Sequence, residues 1–517
     1  MLNLQVNSFR KKNNLCGIWN FRIDQEKIGE AEKWYNLLKP ELDIAVPGSW
    51  NEQLEAEGLM NYIGDVWYQK ELFITNEFNE GNIFLRIDSA DYSCKVWING
   101  EYVGENHGGF LPFEFDITRY IFVNKINLIT IKVNNELNCN TIPQGITAED
   151  YEIENRIREE TYPPARFDFF PFGGINRPIY IYSTPQEFIK DVKIQTKLIG
   201  DTSAKLIIDT NINSTNFDQI KYEIIDDNNV LEFTEIGNTH LVKSQLTIQN
   251  PKLWNLENPF LYKLAITLLK KDLPIDQYSM NFGIRDIKIE GNKLLLNNKP
   301  IFLRGFGKHE DFPIFGKGLN LPLLVKDFTL LKWINANSFR TSHYPYAEEW
   351  LDYADKKGIL VIDEIPAVSL DFRKTTDQTL QNHKTFIKKL IDRDYNHPCV
   401  IMWAPGNEPN LVGEETYYNG SGEKYWNEIY DYTKSLDDSR PITIPNCQRA
   451  GVDDPVFKFS DIISLNRYYG WYENPGNLDT AIIRMESEMD LIANKYQKPI
   501  IVTEFGTDTV PGLHSIS

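Results

Sequence analysis

Apolar positions along this chain follow two different periods, and the change comes near residue 290. Before it, apolar and polar residues alternate or gather in short runs bounded by turns. Ile83 to Ile87, Cys94-Lys95-Val96-Trp97-Ile98, Leu128 to Val133 and Ile179 to Tyr182 read as strands, as does Val66 to Ile74. Asn99-Gly100 is a two-residue hairpin turn, because both positions tolerate the positive φ that such turns need. Val46-Pro47-Gly48-Ser49 and His107-Gly108-Gly109 mark further turns. Many short strands in this rhythm predict a jelly-roll sandwich over residues 1–184. From 185 to 287 the strand period continues with fewer aromatics, through Phe188 to Leu198, Lys205 to Thr210, Lys221 to Ile225 and Tyr262 to Leu269. That length and spacing predict an immunoglobulin-like sandwich.

Over residues 288–517 strands alternate with helices. The strands are Ile301 to Gly305, Asn337 to Arg340, Ile359 to Ile362, Val400 to Trp403, Pro441 to Ile444, Ile462 to Leu465 and Ile500 to Val502. Between them lie helical stretches at Leu323 to Ile334, Tyr346 to Lys357 (stopped by Gly358), Thr379 to Asp394, Trp426 to Lys434 and Thr480 to Tyr496. About six helices are expected in all. This alternation predicts a parallel sheet closed as a (β/α)8 TIM barrel. Seven strands precede Ser517, so the barrel is expected to be incomplete, missing its last strand and helices.

A chain of 517 residues exceeds one core and fits three domains. Its net charge of −19 argues against nucleic-acid or anionic-membrane partners, which need clustered Lys and Arg. An anionic substrate would need positive charge concentrated locally. The five cysteines are widely spaced with no C-x-x-C pair, so no disulfide framework or zinc site is expected, and a reducing cytoplasm is the expected compartment. Neither a signal-peptide core nor a membrane-length apolar run is present in the sequence.

Two glutamates stand at expected strand ends: Glu408, in Gly406-Asn407-Glu408-Pro409, and Glu504, closing Ile500-Ile501-Val502-Thr503-Glu504. A barrel presents chemistry at the carboxyl ends of its strands, and two carboxyl groups facing one cleft are what glycosidic hydrolysis needs. Sequence spacing leaves open whether the pair is set for retention or inversion. Other strand ends add Ser342-His343-Tyr344-Pro345, Asp363-Glu364 and Asn466-Arg467-Tyr468-Tyr469 to the same mouth. Asn407 can hydrogen-bond a sugar hydroxyl, and Tyr468 can donate to a nucleophilic carboxylate and keep it ionised. His343 is open to reading as a structural hydrogen-bonder, and Tyr469 and Trp471 as packing residues. His343, Asp363 and Glu364 as metal ligands are disfavoured, since no H-x-x-x-H pair exists.

The run from Asn337-Ser338-Phe339-Arg340-Thr341-Ser342-His343-Tyr344-Pro345 through Val361-Ile362-Asp363-Glu364 resembles the β-glucuronidases of glycoside hydrolase family 2. So do Asn407-Glu408-Pro409, Ser464-Leu465-Asn466-Arg467-Tyr468-Tyr469-Gly470-Trp471-Tyr472 and Thr503-Glu504-Phe505-Gly506. Val96-Trp97-Ile98-Asn99-Gly100 and Pro251-Lys252-Leu253-Trp254 extend the likeness across the chain. The resemblance implies a retaining, exo-acting hydrolase of β-glucuronide conjugates or oligosaccharides, with Glu408 as acid/base and Glu504 as nucleophile. It implies substrate contacts from Asp168 (in Phe167-Asp168-Phe169-Phe170), His343, Asn407, Asn466, Tyr468 and Tyr472. No cofactor or metal and a homo-oligomer, a tetramer in the complete protein, are implied too. Two departures accompany it. The stretch between Val368 and Ile391 is short for a mouth-covering loop, which favours bulky aglycones. The uronate-binding Asn-x-Lys motif of the family would follow the seventh strand and is not found before Ser517. A β-galacturonidase, a β-galactosidase or an impaired carbohydrate-binding fragment are the alternatives.

Overall fold

The structure is a computed structural model that describes residues 2–79, 81–145, 167–200, 202–227, 229–409, 416–417 and 420–507. The expectation about the carboxyl-terminal end turns partly on residues 508–517, which lie outside the described residues.

The amino-terminal strands form a sandwich of two antiparallel sheets. Six strands in the spatial order Leu42–Val46, Gly17–Asp24, Asp65–Ile74, Lys125–Asn134, Ser93–Ile98 and Glu101–His107 face four, Lys11–Asn14, Ile179–Thr184, Asn82–Ile87 and Phe113–Asp116. Period-2 patterning decides which side chains meet: Ile129, Ile131 and Val133 turn inward beside Val66 and Tyr68, all fully buried. Asn99 and Gly100 both take positive φ, as the hairpin between two of these strands requires. A second sandwich pairs a three-stranded sheet (Ile189–Ile199, Ser203–Ile212, Leu241–Gln249) with a four-stranded one (Val230–Ile236, Gln219–Ile225, Tyr262–Lys270, Leu273–Phe282). Its core is mainly aliphatic, with Leu206, Ile208, Ile220 and Leu264 fully buried beside Tyr222 and Phe282.

The remainder is a TIM barrel. Strands Gly305–Gly307, Ser338–Arg340, Leu360–Glu364 and Val400–Ala404 run parallel in that order. Trp403 bridges to Ile442, and Pro445–Asn446, Ile463–Asn466 and Ile500–Glu504 continue the parallel set. Five α-helices among the described residues pack outside: Leu321–Trp333, Glu348–Lys357, Asp377–Asp394, Gly422–Leu436 and Leu478–Tyr496. Among the described residues seven strands take part, and the first and seventh form no ladder. Phe302, Trp333 and Phe505, beside the first strand, at the end of the first barrel helix and after the seventh strand, stand exposed at 80%, 81% and 68%.

Three elements differ from the sequence reading. The first strand begins where it was expected to end. Ile301 is tied by its N–H to Leu294 O at 2.9 Å, so the apolar run before Gly305 packs on the barrel core instead of entering the ladder. The fifth strand is broken, because Pro441 and Pro445 have no N–H to donate. Trp403 instead exchanges bonds with Pro441 O and Thr443 N at 3.1 and 3.0 Å. Where about six helices were expected, five α-helices stand among the described barrel residues, and the chain before the sixth strand makes two 3₁₀ turns, Gln448–Asp453 and Pro455–Phe459, interrupted by Gly451 and capped by Asp454. No helix among the described residues is long and apolar enough to cross a membrane.

Candidate active site

Each strand of the barrel delivers its last residues to one mouth. Leaving the fourth strand, the chain turns at Gly406, where a Cβ would lie 2.5 Å from the Trp426 ring. That close approach carries Glu408 into the left-handed region, φ 48°, a strained setting for a non-glycine residue. The Glu408 N–H donates to Pro445 O at 2.9 Å, which holds the strained turn. Asn466 Nδ2 donates to Glu408 Oε1 at 2.9 Å, the side chain's one described hydrogen-bond donor from a side-chain nitrogen. Burial, joined by the charge of Glu504, pushes the Glu408 carboxyl above the ordinary glutamate value.

Glu504 has the opposite surroundings. Arg340 Nη2 donates to its Oε1 and the Tyr468 hydroxyl to its Oε2. His343 Nε2 stands 3.7 Å from Oε1. Burial pushes this carboxyl up, but Arg340, His343 and the Tyr468 hydroxyl outweigh it and hold Glu504 below the ordinary value. One mouth therefore holds two glutamates driven apart in acidity, which is the arrangement that separates a proton donor from an anion.

The remaining mouth residues form a connected network. Arg340 Nη1 donates to Glu364 Oε2 at 2.6 Å and to Asn407 Oδ1 at 3.3 Å. His343 Nδ1–H donates to Glu364 Oε1 at 2.7 Å, and burial, which by itself lowers the pKa of the ring, is overcome by that carboxyl, so the ring is held above its ordinary value. Asn466 Nδ2 also reaches Asn407 Oδ1 at 3.2 Å, and Thr503 Oγ1 fixes the other end of the Asn466 amide at 2.8 Å. From the first sandwich, Asp168 brings an Oδ1 to 3.6 Å from His343 Nε2 while its side chain stays 79% exposed. Tyr472 is 62% exposed, with its ring 4.8 Å from that of Tyr468. A cavity of about 330 Å³ opens against Asp168, His309, Arg340, His343, Tyr468 and Glu504. The eight sequence-derived residues thus gather around one mouth, and the cavity wall itself takes in Asp168, His343, Tyr468 and Glu504 of them.

His343, Asp363 and Glu364 do not converge as metal ligands. Successive strand residues face opposite ways, so Asp363 points to Thr341 Oγ1, at 3.2 Å, and the Arg393–Asp394 pair. The group with ligand-like spacing among the described residues is Asp355, His397 and Cys399, at the amino-terminal end of the fourth strand, away from the mouth. Its polar atoms serve one another: His397 Nδ1 donates to Asp355 Oδ2 at 2.6 Å and the Cys399 N–H to Oδ1 at 2.9 Å.

Residues 12–185 match the sugar binding domain of glycosyl hydrolases family 2, residues 187–285 the domain described as glycosyl hydrolases family 2, and residues 287–517 the family's TIM barrel domain. A beta-glucuronidase of Paenibacillus borealis is 37% identical over 98% of this chain and 84% of its own length. The chain belongs to family 2 of the glycosyl hydrolases. The mouse beta-glucuronidase is 34% identical over 98% of the family 2 chain and 79% of its own. Among solved structures, a beta-glucuronidase of an uncultured Clostridium sp. superposes with a TM-score of 0.89 at 36% identity, covering 100% of this chain and 86% of that one. The Ruminococcus gnavus beta-glucuronidase in complex with D-glucuronic acid gives 0.88 at 34%, again over 100% and 86%.

Two residues of the mouth, Arg340 and His309, escaped the reading of strand ends, as did the role of a third. Arg340 closes a short buried strand, Ser338-Phe339-Arg340, and is 2% exposed. A buried arginine demands carboxyl partners, and that demand was the available signal. Glu364 was placed at the mouth without a role of its own, and it anchors both Arg340 and His343. His309, just past the first strand, lines the cavity with its ring 5.8 Å from that of His343. Misplacing that strand hid it.

Proposed function

We propose that this chain hydrolyses β-glucuronides with retention, releasing glucuronic acid by double displacement. The carrying observation is the contrast between Glu504, held anionic by Arg340 and Tyr468, and Glu408, raised by burial. Glu504 attacks the anomeric carbon while the bond to the aglycone oxygen breaks and Glu408 gives that oxygen its proton. Glu408, now ionised, takes a proton from water, the water oxygen displaces Glu504, and the free sugar leaves. Asn407 and Asn466 meet sugar hydroxyls, while Asp168, His343 and Tyr472 line the sugar pocket. The glucuronide assignment is supported by relatives named beta-glucuronidase and by a structural neighbour bound to D-glucuronic acid.

Residues 365–376 link the third strand to its helix in a short stretch held to the fourth strand's end by a bridge from Val368 to Asn407, and a link this short leaves room for bulky aglycones. Five free cysteines suit a reducing compartment such as the cytoplasm. Assembly as a homotetramer belongs to the same proposal and is read by light scattering.

The test is initial rates on matched aryl β-glucuronide, β-galacturonide and β-galactoside, followed by labelling with a 2-fluoro glucuronosyl fluoride. Preference for the glucuronide and a label on Glu504 are expected. Faster turnover of the galactoside would overturn the substrate assignment, and a label elsewhere the assignment of Glu504.

A further inference from the structure

Lys317 lies in the loop after the first barrel strand, 3% exposed, and its Nζ has no hydrogen-bond partner among the described residues. Buried ammonium groups are costly unless something replaces their water. Here three aromatic rings do so, with centroids at 4.1 Å for Tyr344, 4.4 Å for Phe110 and 4.7 Å for Phe169. The Phe110 and Tyr344 rings stack at 5.1 Å, and Phe169 meets Tyr344 edge-on at 5.1 Å. Burial pushes the Lys317 amine down to about 8, and Asp91, Asp311 and Glu310 oppose the fall.

The loop is shaped to bring the ammonium there. Gly316 takes φ +54°, and a Cβ on it would lie 2.7 Å from Ser49 Cβ and 2.9 Å from Phe172. A Cβ on Gly318 would lie 2.8 Å from Phe315 O and 3.0 Å from Gly48 Cα. The barrel backbone therefore runs in contact with the sandwich on both sides of Lys317.

The rings come from both domains, Phe110 and Phe169 from the sandwich and Tyr344 from the barrel. Each of two site residues is next in sequence to a ring of the cage. Asp168 precedes Phe169 and His343 precedes Tyr344, and Asp168 and His343 face each other at 3.6 Å. The cavity wall takes in Asp168 and His343 but neither Phe169 nor Tyr344, whose rings lie against the Lys317 ammonium instead. We propose that Lys317 is a positioning residue, whose ammonium clamps the Asp168 loop of the sandwich onto the His343 loop of the barrel and so sets Asp168 toward substrate. Only the last step, that Asp168 faces substrate, rests on the glucuronidase reading.

Lys317→Met keeps the chain length of the stem and a polarizable end while removing the charge. Hydrogen exchange read by mass spectrometry, on the full chain, is expected to quicken severalfold in peptides covering residues 167–172 and not in those covering Leu360–Glu364. Lys317→Arg restores much of the protection. On an aryl β-glucuronide, kcat/KM of Lys317→Met is expected to fall roughly 10- to 100-fold. Asp168→Asn then costs less in that background than in the wild type, because its geometry is already lost. Unchanged exchange at 167–172, or losses that multiply independently, overturns the proposal. Should Lys317→Met fail to fold, Phe169→Leu, which removes one wall of the cage and keeps the ammonium, carries the same two readouts. A wild-type chain that turns over no glucuronide sinks the glucuronidase reading and leaves the exchange result to decide the clamp.

Discussion

Replacing Tyr468 by Phe removes one hydroxyl from Glu504 Oε2 and keeps the ring that packs against Tyr472. Glu504 has two described hydrogen-bond donors, Arg340 Nη2 on one oxygen and Tyr468 on the other, so the change halves its donor set. A hydrogen bond to a charged group is worth about 1.5–3 kcal/mol. The ionised form loses that support and the protonated form does not, so the Glu504 carboxyl moves up from its depressed position. Below the acidic limb of the pH profile, the ionised fraction then falls by the same free energy, roughly 10- to 100-fold. The assay is kcat/KM on a fluorogenic aryl β-glucuronide from acid to neutral pH, with Tm measured alongside. The expected result is an acidic limb displaced to higher pH, a much smaller change on the plateau, and little change in Tm. A limb that stays in place while the plateau falls would refute the reasoning, because the hydroxyl would then not be what keeps Glu504 ionised.

Three further outcomes follow from the same geometry. Glu408→Gln should lower turnover about 10²- to 10⁴-fold, and azide should restore it by yielding a β-glucuronyl azide; an α-configured azide would contradict double displacement. Glu364→Gln leaves Arg340, 2% exposed, with one carboxylate partner where it has two, and chemical unfolding should reveal a loss of roughly 3–5 kcal/mol. His397 is buried, which alone would lower its pKa, but Asp355 at 2.6 Å holds it up to about 10. The folded value exceeds the ordinary 6.5, so this pair's stabilisation is complete below about 6.5 and is lost as pH rises through about 10. Thermal unfolding of His397→Gln across that window should show a weaker decline with pH than the wild type, and parallel curves would count against the pair.

Much of the fold was legible because burial of one sheet face or one helix stripe writes a period into the chain. The sandwich strand Lys125–Asn134 and the helix Asp377–Asp394 were found within a few residues on that basis alone. The first and fifth barrel strands were not well placed, since apolar runs such as Ile301 to Leu303 look alike whether they enter a ladder or plug a barrel end. At the site, carboxyl groups at strand ends were visible because barrels use those positions. Arg340 was not, because its value lies in partners at positions 364 and 504.

The sequence by itself determined the periods, the order of two sandwiches and a barrel, and which residue types arrive at the barrel mouth, because those are local properties of the chain. It also carried the glutamate pair and the family likeness. Tertiary structure decided which glutamate is held as an anion and which is raised. Those acidities are set by surroundings assembled from separate strands, Arg340 and Tyr468 holding Glu504 down while burial and the charge of Glu504 raise Glu408. It likewise decided that Asp168 reaches the barrel mouth, because only domain docking around Lys317 brings a sandwich loop to His343.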